Sequence, residues 1–357
     1  MTLPPSAPSP QVTPPPLSWF AGRWVDGDTL LYIVRRLGQA LITLLLASAL
    51  CFFVIQLAPG DYLAALKQNP QISPERVQEL QAQFGLDQPW SVQYGRWLWQ
   101  VVVHQNFGDS FAYQRSVTSL LGERVPATLL LAFASLVLTW AIAVPLGIIA
   151  AVQQYQWPDR LLRVLSYIGQ GFPSFVAALL LLILAQNLSP LLPVGDMTSL
   201  NYDDLTLLGK GLDLLWHLLL PTLALTLTGL AGLQRITRGE LLDVLRQDYV
   251  RTARAKGLPE HRVIYVHALR NAVNPLITLL GFEFSSLLSG AFITEQLFNW
   301  PGLGRLILQA VMAQDLYLVM ASLMMGAVML ILGNLLADLL LKAVDPRINL
   351  EGGATGT

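Results

Sequence analysis

The chain has 357 residues, 54% of them hydrophobic and 13% charged, with a net charge of −1 and a mean hydropathy of +0.51. That composition excludes an ordinary soluble domain, and the near-neutral charge argues against nucleic acid as a partner. The lone Cys51 cannot close an internal disulfide, and the four scattered histidines offer no spacing for a structural metal.

In chain order, residues 1–30 are rich in Pro and Ser and then carry Trp19, Phe20 and Trp24, the pattern of a disordered or interfacial tail. The first long apolar run begins only after Arg35 and Arg36, too late for a cleaved signal peptide, so it reads as a retained membrane helix. A spanning helix needs about 20 mostly apolar residues. Six segments qualify, at about 37–57, 127–151, 164–188, 214–234, 272–292 and 317–341, which gives an all-α membrane protein whose transmembrane domain covers 31–349. Six crossings put both termini on one side. With the termini inside, the inner segments hold 15 of the 22 Lys and Arg residues and the outer segments hold 7, so the positive-inside rule favours N-in and C-in.

The outer segment 58–126 is expected to be a small folded insert, because Leu80, Phe84, Leu86, Trp90, Tyr94, Trp97 and Leu98 supply apolar faces, with a helix around Pro74 to Phe84. The outer loop near 189–213, with Asp196, Asp203, Asp204 and Asp213, reads as a solvated loop. Pro145, Pro173 and Pro221 fall inside the second, third and fourth spans, where proline bends a helix and frees a carbonyl.

Between the fourth and fifth spans lies the basic stretch 236–271. Residues from Arg238 to Lys256 show helical periodicity, with Leu242, Leu245, Tyr249 and Ala253 on one stripe and Asp243, Arg246, Gln247, Arg251 and Arg254 on another. Gly257 stands where a left-handed residue ends a helix, and Pro259 can open the next one. The expected shape is a helix, a sharp corner and a short helix leading to Pro275. A basic helix lying on headgroups is the plainer alternative, but it has no use for a Gly-Leu-Pro corner.

The run R-T-A-R-A-K-G at 251–257, followed by H-A-L-R-N-A at 267–272 and Pro275, resembles the EAA loop of ABC importer permeases in the dipeptide/oligopeptide/nickel branch. Supporting motifs occur in the family's order over roughly 30–350. They are A-P-G-D at 58–61, E-R-V-P-A-T at 123–128, G-F-P-S-F at 171–175, F-N-W-P-G-L-G-R at 298–305 and D-P-R-I at 345–348. The general motif's glutamate is replaced by Arg251 and its later leucine-proline pair by Leu269-Arg270; the peptide-type branch shares both changes.

The resemblance implies a type I permease fold and a docking loop for a cytoplasmic ATPase, made of Arg246, Tyr249, Arg251, Thr252, Ala253, Arg254, Ala255, Lys256, Gly257, His267, Arg270 and Asn271. The Arg246/Arg251/Arg254 face is expected to meet the ATPase. It also implies a second homologous permease, two ATPase subunits that use ATP–Mg, an extracytoplasmic substrate-binding protein, and residence in the bacterial inner membrane among lipid. No cofactor is expected on this chain. No G-x-x-x-x-G-K-[ST] occurs, so hydrolysis belongs to another subunit. The expected cargo is a di- or oligopeptide, with nickel or glutathione as alternatives and an ATP-independent channel or secondary transporter as the different-class rival.

Three acidic positions complete the reading. Glu283 in the fifth span either lines the pathway or packs through a hydrogen bond. Glu295 is expected to help shape an outer gate, and Pro173 to sit on the pathway. Asn334 and Asp338, four residues apart, read as polar glue between helices.

Overall fold

A computed structural model describes residues 27–57, 73–83, 87–171, 173–189 and 191–344. The tail up to residue 26, the motifs at 58–61 and 345–348, and Phe84, Leu86 and Phe172 lie outside the described residues. The described residues form helices α1 (Gly27–Leu57), α2 (Pro74–Gln83), α3 (Trp90–His104), α4 (Val117–Val152), α5 (Trp157–Gly171), α6 (Ser174–Asn187), α7 (Leu207–Leu245), α8 (Asp248–Ala255), α9 (Leu269–Leu297), α10 (Leu303–Met312) and α11 (Leu316–Val344).

The bundle is centred on α4 and α7, its most extensive helix pair. The buried face of α4 carries Thr128, Ala132, Ser135, Thr139, Ala143, Ala150 and Ala151, and that of α7 carries Ala224, Thr226, Ala231 and Thr237. Small residues suit this role because lipid gives no hydrophobic drive between helices, so close approach supplies the packing. Helix α9 crosses both, α5 and α6 pack on α7, and α11 packs between α9 and α1.

Among the described residues five helices are long and apolar enough to span, and α5 with α6 forms an apolar pair bent by 99°, of sufficient length for a sixth span if the two count as one. The third expected span, at 164–188, is therefore two helices starting at Trp157. Pro173 has φ −62° and ψ 138° and caps α6, an extended geometry that ends a helix rather than bending it. Pro145 and Pro221, by contrast, stay inside continuous helices.

Other boundaries also differ from the sequence reading. Helix α4 begins at Val117 with Pro126 inside it, so residues 117–126 belong to the bundle and not to the insert. The insert's α2 matches its expected position. Helix α10, a short apolar helix after Pro301-Gly302, was not expected; its ten residues are too few to register as a span.

Termini and helix ends sort consistently. Tyr32 and Arg36 of α1 bond Asp338 of α11 at 2.6 and 3.0 Å, the interhelical glue read from the sequence. Both chain ends of the described bundle thus share one face.

Candidate functional site

The basic stretch folds as two elements where periodicity suggested one helix. Helix α7 runs to Leu245, Gln247 turns extended with φ −70° and ψ 149°, and α8 starts afresh at Asp248. Neither Gly nor Pro marks this corner, so the apolar pattern ran through it unbroken. Asp248 in the first turn of α8 suits the positive end of the helix dipole.

Val250 and Ala253 of α8 are buried in a cluster with Ile148 and Ala151 of α4, Leu241 and Leu242 of α7, and Ala268 and Ala272 at the start of α9. Ala253, expected on the apolar stripe and named with the docking loop, is a buried anchor beneath α8. The cluster gathers the ends of α4 and α7 and the start of α9, so α8 bears on three long helices at once. Asn271 Nδ2 donates to Tyr249 Oη at 2.7 Å, adding a polar tie from α9 to α8.

The opposite side of α8 is open. Tyr249, Arg251, Thr252, Arg254, Ala255, Lys256 and Gly257 are exposed, as are Arg246, Arg270 and Asn271, while His267 is half-buried. Arg254 is engaged by Glu260, with Nη2–Oε1 at 2.6 Å and Nε–Oε2 at 3.2 Å, which raises the guanidinium's already high pKa. Arg251 leans on Asp248 at 3.3 Å. Two of the three arginines expected to form a basic docking face are thus paired within the chain, whereas Arg246 has no ion pair among the described residues. The face is mixed in charge and not uniformly basic.

Gly257 has φ +74°, and a Cβ placed on it would meet nothing within 4 Å. The left-handed turn read from the sequence is present, with Gly257 N donating to Arg254 O at 2.9 Å. Pro259 precedes a single turn, Glu260–Arg262, that flows through a π-helical stretch, Val263–Ala268, into α9. The expected short second helix is therefore the beginning of the fifth span, and Pro275 lies within α9.

Behind α8, Asp159 at the start of α5 is fully buried and clasps Arg238 of α7 through Nε at 2.6 Å and Nη2 at 3.0 Å. It also accepts from Tyr155 N at 2.9 Å. This pair, 79 residues apart, ties the bent α5–α6 pair to the helix that leads into α8; the sequence reading did not find it, because nothing in the spacing of two distant charges records that they meet. Near the bend, a cleft of about 360 Å³ is lined by Gly169, Gln170, Ser174, Thr228, Gly232 and Ser286, among others. Its polar groups are neutral, and Pro173 is exposed beside it.

At the other end, the F-N-W-P-G-L-G-R motif forms a knot. Glu295 is 0% exposed; it accepts from Thr128 Oγ1 at 2.6 Å and from Arg305 N at 3.0 Å. Thr128 Oγ1 in turn accepts from Leu303 N at 2.7 Å, and Trp300 Nε1 donates to Ala127 O at 2.9 Å. Glu295 therefore caps the first turn of α10 and joins it to α4. It is enclosed, so the expected part in lining a gate is corrected to a buried capping role. Asp196 N donates to Phe298 O at 2.8 Å, and Asp213 accepts from Ser199 N at 2.9 Å. Two of the four loop aspartates thus serve as ties (Asp196 is also bonded by Asn299), where a merely solvated loop was expected. Glu283 accepts from Trp140 Nε1 at 2.8 Å between α9 and α4, the hydrogen-bonded packing alternative for that residue.

The comparisons agree with this geometry. Residues 143–350 match the family model "Binding-protein-dependent transport system inner membrane component", and residues 29–132 match the N-terminal model of the same membrane component. The chain is 38% identical to the oligopeptide transport system permease protein AppB of Bacillus subtilis, covering 89% of this chain and 98% of that protein. It is 37% identical to the dipeptide transport system permease protein DppB of Escherichia coli K12, with the same coverage. Among solved structures, a chain of the inward-facing MetNI methionine ABC transporter matches at a TM-score of 0.50 and 16% identity, over 64% of this chain and 97% of that one. At that identity the likeness shows the fold alone.

Proposed function

Because the chain belongs to the binding-protein-dependent transport system inner membrane component family, we propose that it is a permease subunit importing di- or oligopeptides across the bacterial inner membrane. The observation that carries the cargo is the pair of peptide permeases matched over 98% of their length. A second permease, two ATPase subunits supplied with ATP–Mg and an extracytoplasmic binding protein complete the assembly, and the excess of Lys and Arg on the α8 side supports N-in and C-in.

Helix α8 is the contact for an ATPase subunit. Its buried Val250 and Ala253 make it a handle on α4, α7 and α9, so a displacement of α8 moves packed helices and is not absorbed by a loose loop. Arg246, Tyr249, Arg251, Thr252, Arg254, Ala255, Lys256, Gly257, His267, Arg270 and Asn271 form or border the docking face, with Ala253 acting from within. Gly257 lets the partner approach the corner closely, and Arg246 and Lys256, which have no ion pair among the described residues, steer association more than they add affinity.

The neutral polar cleft at the α5–α6 bend, with Pro173 at its edge and Glu283 one turn before Ser286, is the stretch of pathway offered to the peptide. Hydroxyl and amide side chains can replace water around peptide groups without trapping a charged terminus. Copurification and transport test the whole reading. The chain expressed with its neighbouring genes should bring down ATPase subunits in fixed ratio and support ATP-dependent peptide uptake in vesicles. Uptake that persists with no ATPase subunit present would overturn it in favour of a channel or secondary carrier.

A further inference from the structure

Side chains of the insert's α3 reach α1 at two separate levels. Tyr94 Oη lies 2.9 Å from Ser48 Oγ and donates to Leu45 O at 3.4 Å, while its ring packs on Phe52 at 5.5 Å between centroids. The neighbouring Gln93 accepts from Gln56 Nε2 at 3.2 Å. Along α1, Ser48 and Leu45 lie about 14 and 18 Å from the end at Leu57, whereas Gln56 is at that end. The apolar run Leu31–Leu57 is centred near Leu44. With hydrocarbon about 30 Å thick, Phe52 sits about 12 Å from the midplane, just inside the boundary.

The adjacent residues Gln93 and Tyr94 thus point to opposite depths, so α3 lies across α1 and roughly in the membrane plane. Its composition agrees with that orientation. Arg96, Gln100, His104 and Gln93 share an arc of roughly 80°, on the side directed toward the outer end of α1. Val92, Trp99 and Val102 occupy the exposed side, turned away from the core that packs Trp97 and Leu98. Trp99 is 63% exposed and Val102 67%, and Leu46, Leu50 and Phe53 of α1 are open as well.

We propose that α3 is embedded in the outer leaflet, with Val92, Trp99, Val102 and Val103 covered by lipid acyl chains and Arg96, Gln100 and His104 at the headgroups. The insert is then part of the membrane-bound surface and not a free external domain. Trp90 and Trp99 act as interface anchors, in keeping with the preference of tryptophan for that boundary. The occupant is lipid because this face continues the lipid-facing surface of α1, whose apolar run is only 11% buried. The proposal rests on α1 spanning the membrane, as in the reading above.

The test uses the whole importer reconstituted in lipid vesicles, with Cys51→Ser as background and single nitroxide labels at Val102→Cys, Trp99→Cys, Gln100→Cys and Leu50→Cys. ATP-driven uptake confirms that each variant is assembled. The labels at 102 and 99 should collide with oxygen several-fold more, relative to a water-soluble nickel chelate, than the label at 100. Labels at 102 and 99 that meet the nickel chelate as freely as the label at 100 would overturn the proposal, since the face would lie in water. Labels at both positions shielded from both reagents would overturn it in favour of a protein partner. The Leu50 label reports separately on the membrane reading, which fails if that label too is open to nickel.

Discussion

Glu295 and Gly302 give the sharpest test of how the outer knot is built. Glu295→Ala removes an enclosed carboxylate and leaves the backbone N–H groups of Gly304 and Arg305 without acceptors. At about 1–3 kcal/mol for each of these two buried donors left unsatisfied, the expected loss is about 2–6 kcal/mol. Gly302→Ala is a different kind of perturbation. Its backbone, φ −93° and ψ 176°, is extended and open to any residue, but an added Cβ would come closer than 3.0 Å to three atoms of the Glu295 carboxyl group. Overpacking of that kind costs about 1–3 kcal/mol. In the Glu295→Ala background the obstructing group is gone, so Gly302→Ala should cost close to nothing there. A double-mutant cycle on denaturant unfolding of the purified complex in mixed micelles should therefore show a coupling of about 1–3 kcal/mol. If Gly302→Ala costs the same with and without Glu295, the packing argument fails.

Other outcomes follow from the same geometry. Gly257→Glu should abolish uptake while membrane levels stay normal, because the chain has room for the side chain and only a docked partner does not; Gly257→Asn, which tolerates the left-handed turn, should keep most of it, and normal uptake in the Glu variant would refute the docking role. Asp159→Ala should cost about 2–3 kcal/mol by leaving Arg238 unpaired, less than for a fully buried pair because Arg238 keeps some exposure, and Asp159→Ala with Arg238→Leu should recover part of it in the same assay. Asp315 is buried against Ser110 Oγ at 2.6 Å and Ala112 N at 3.0 Å, and burial pushes its carboxyl up. A raised carboxyl favours the fold at low pH, and that contribution is lost as pH climbs from 3.8 through the raised value. Stability measured across this window should fall less steeply in Asp315→Asn than in the parent; equal slopes would refute the assignment.

Length and hydropathy determined a good deal about this protein by themselves. The apolar runs marked the five helices of spanning length and the bent α5–α6 pair, since a bilayer imposes a length on any helix that spans it. Gly257 and Pro259 marked the corner after α8, because the left-handed turn and the helix start have local residue requirements. The order of the motifs along the chain pointed to the family.

Tertiary structure decided what depends on which groups meet. The third span looked like any other run until the 99° bend separated α5 from α6. Asp159 and Arg238 were two distant charges until the fold joined them, and Glu295 looked like a gate residue until Thr128 and the first turn of α10 closed around it. The break between α7 and α8 carries no Gly or Pro and exists because Val250 and Ala253 find a buried site against α4 and α9. Hydropathy along a chain reports whether a side chain prefers lipid or water. It carries no record of which distant donor will satisfy a buried acceptor, and in this protein those pairings position the site.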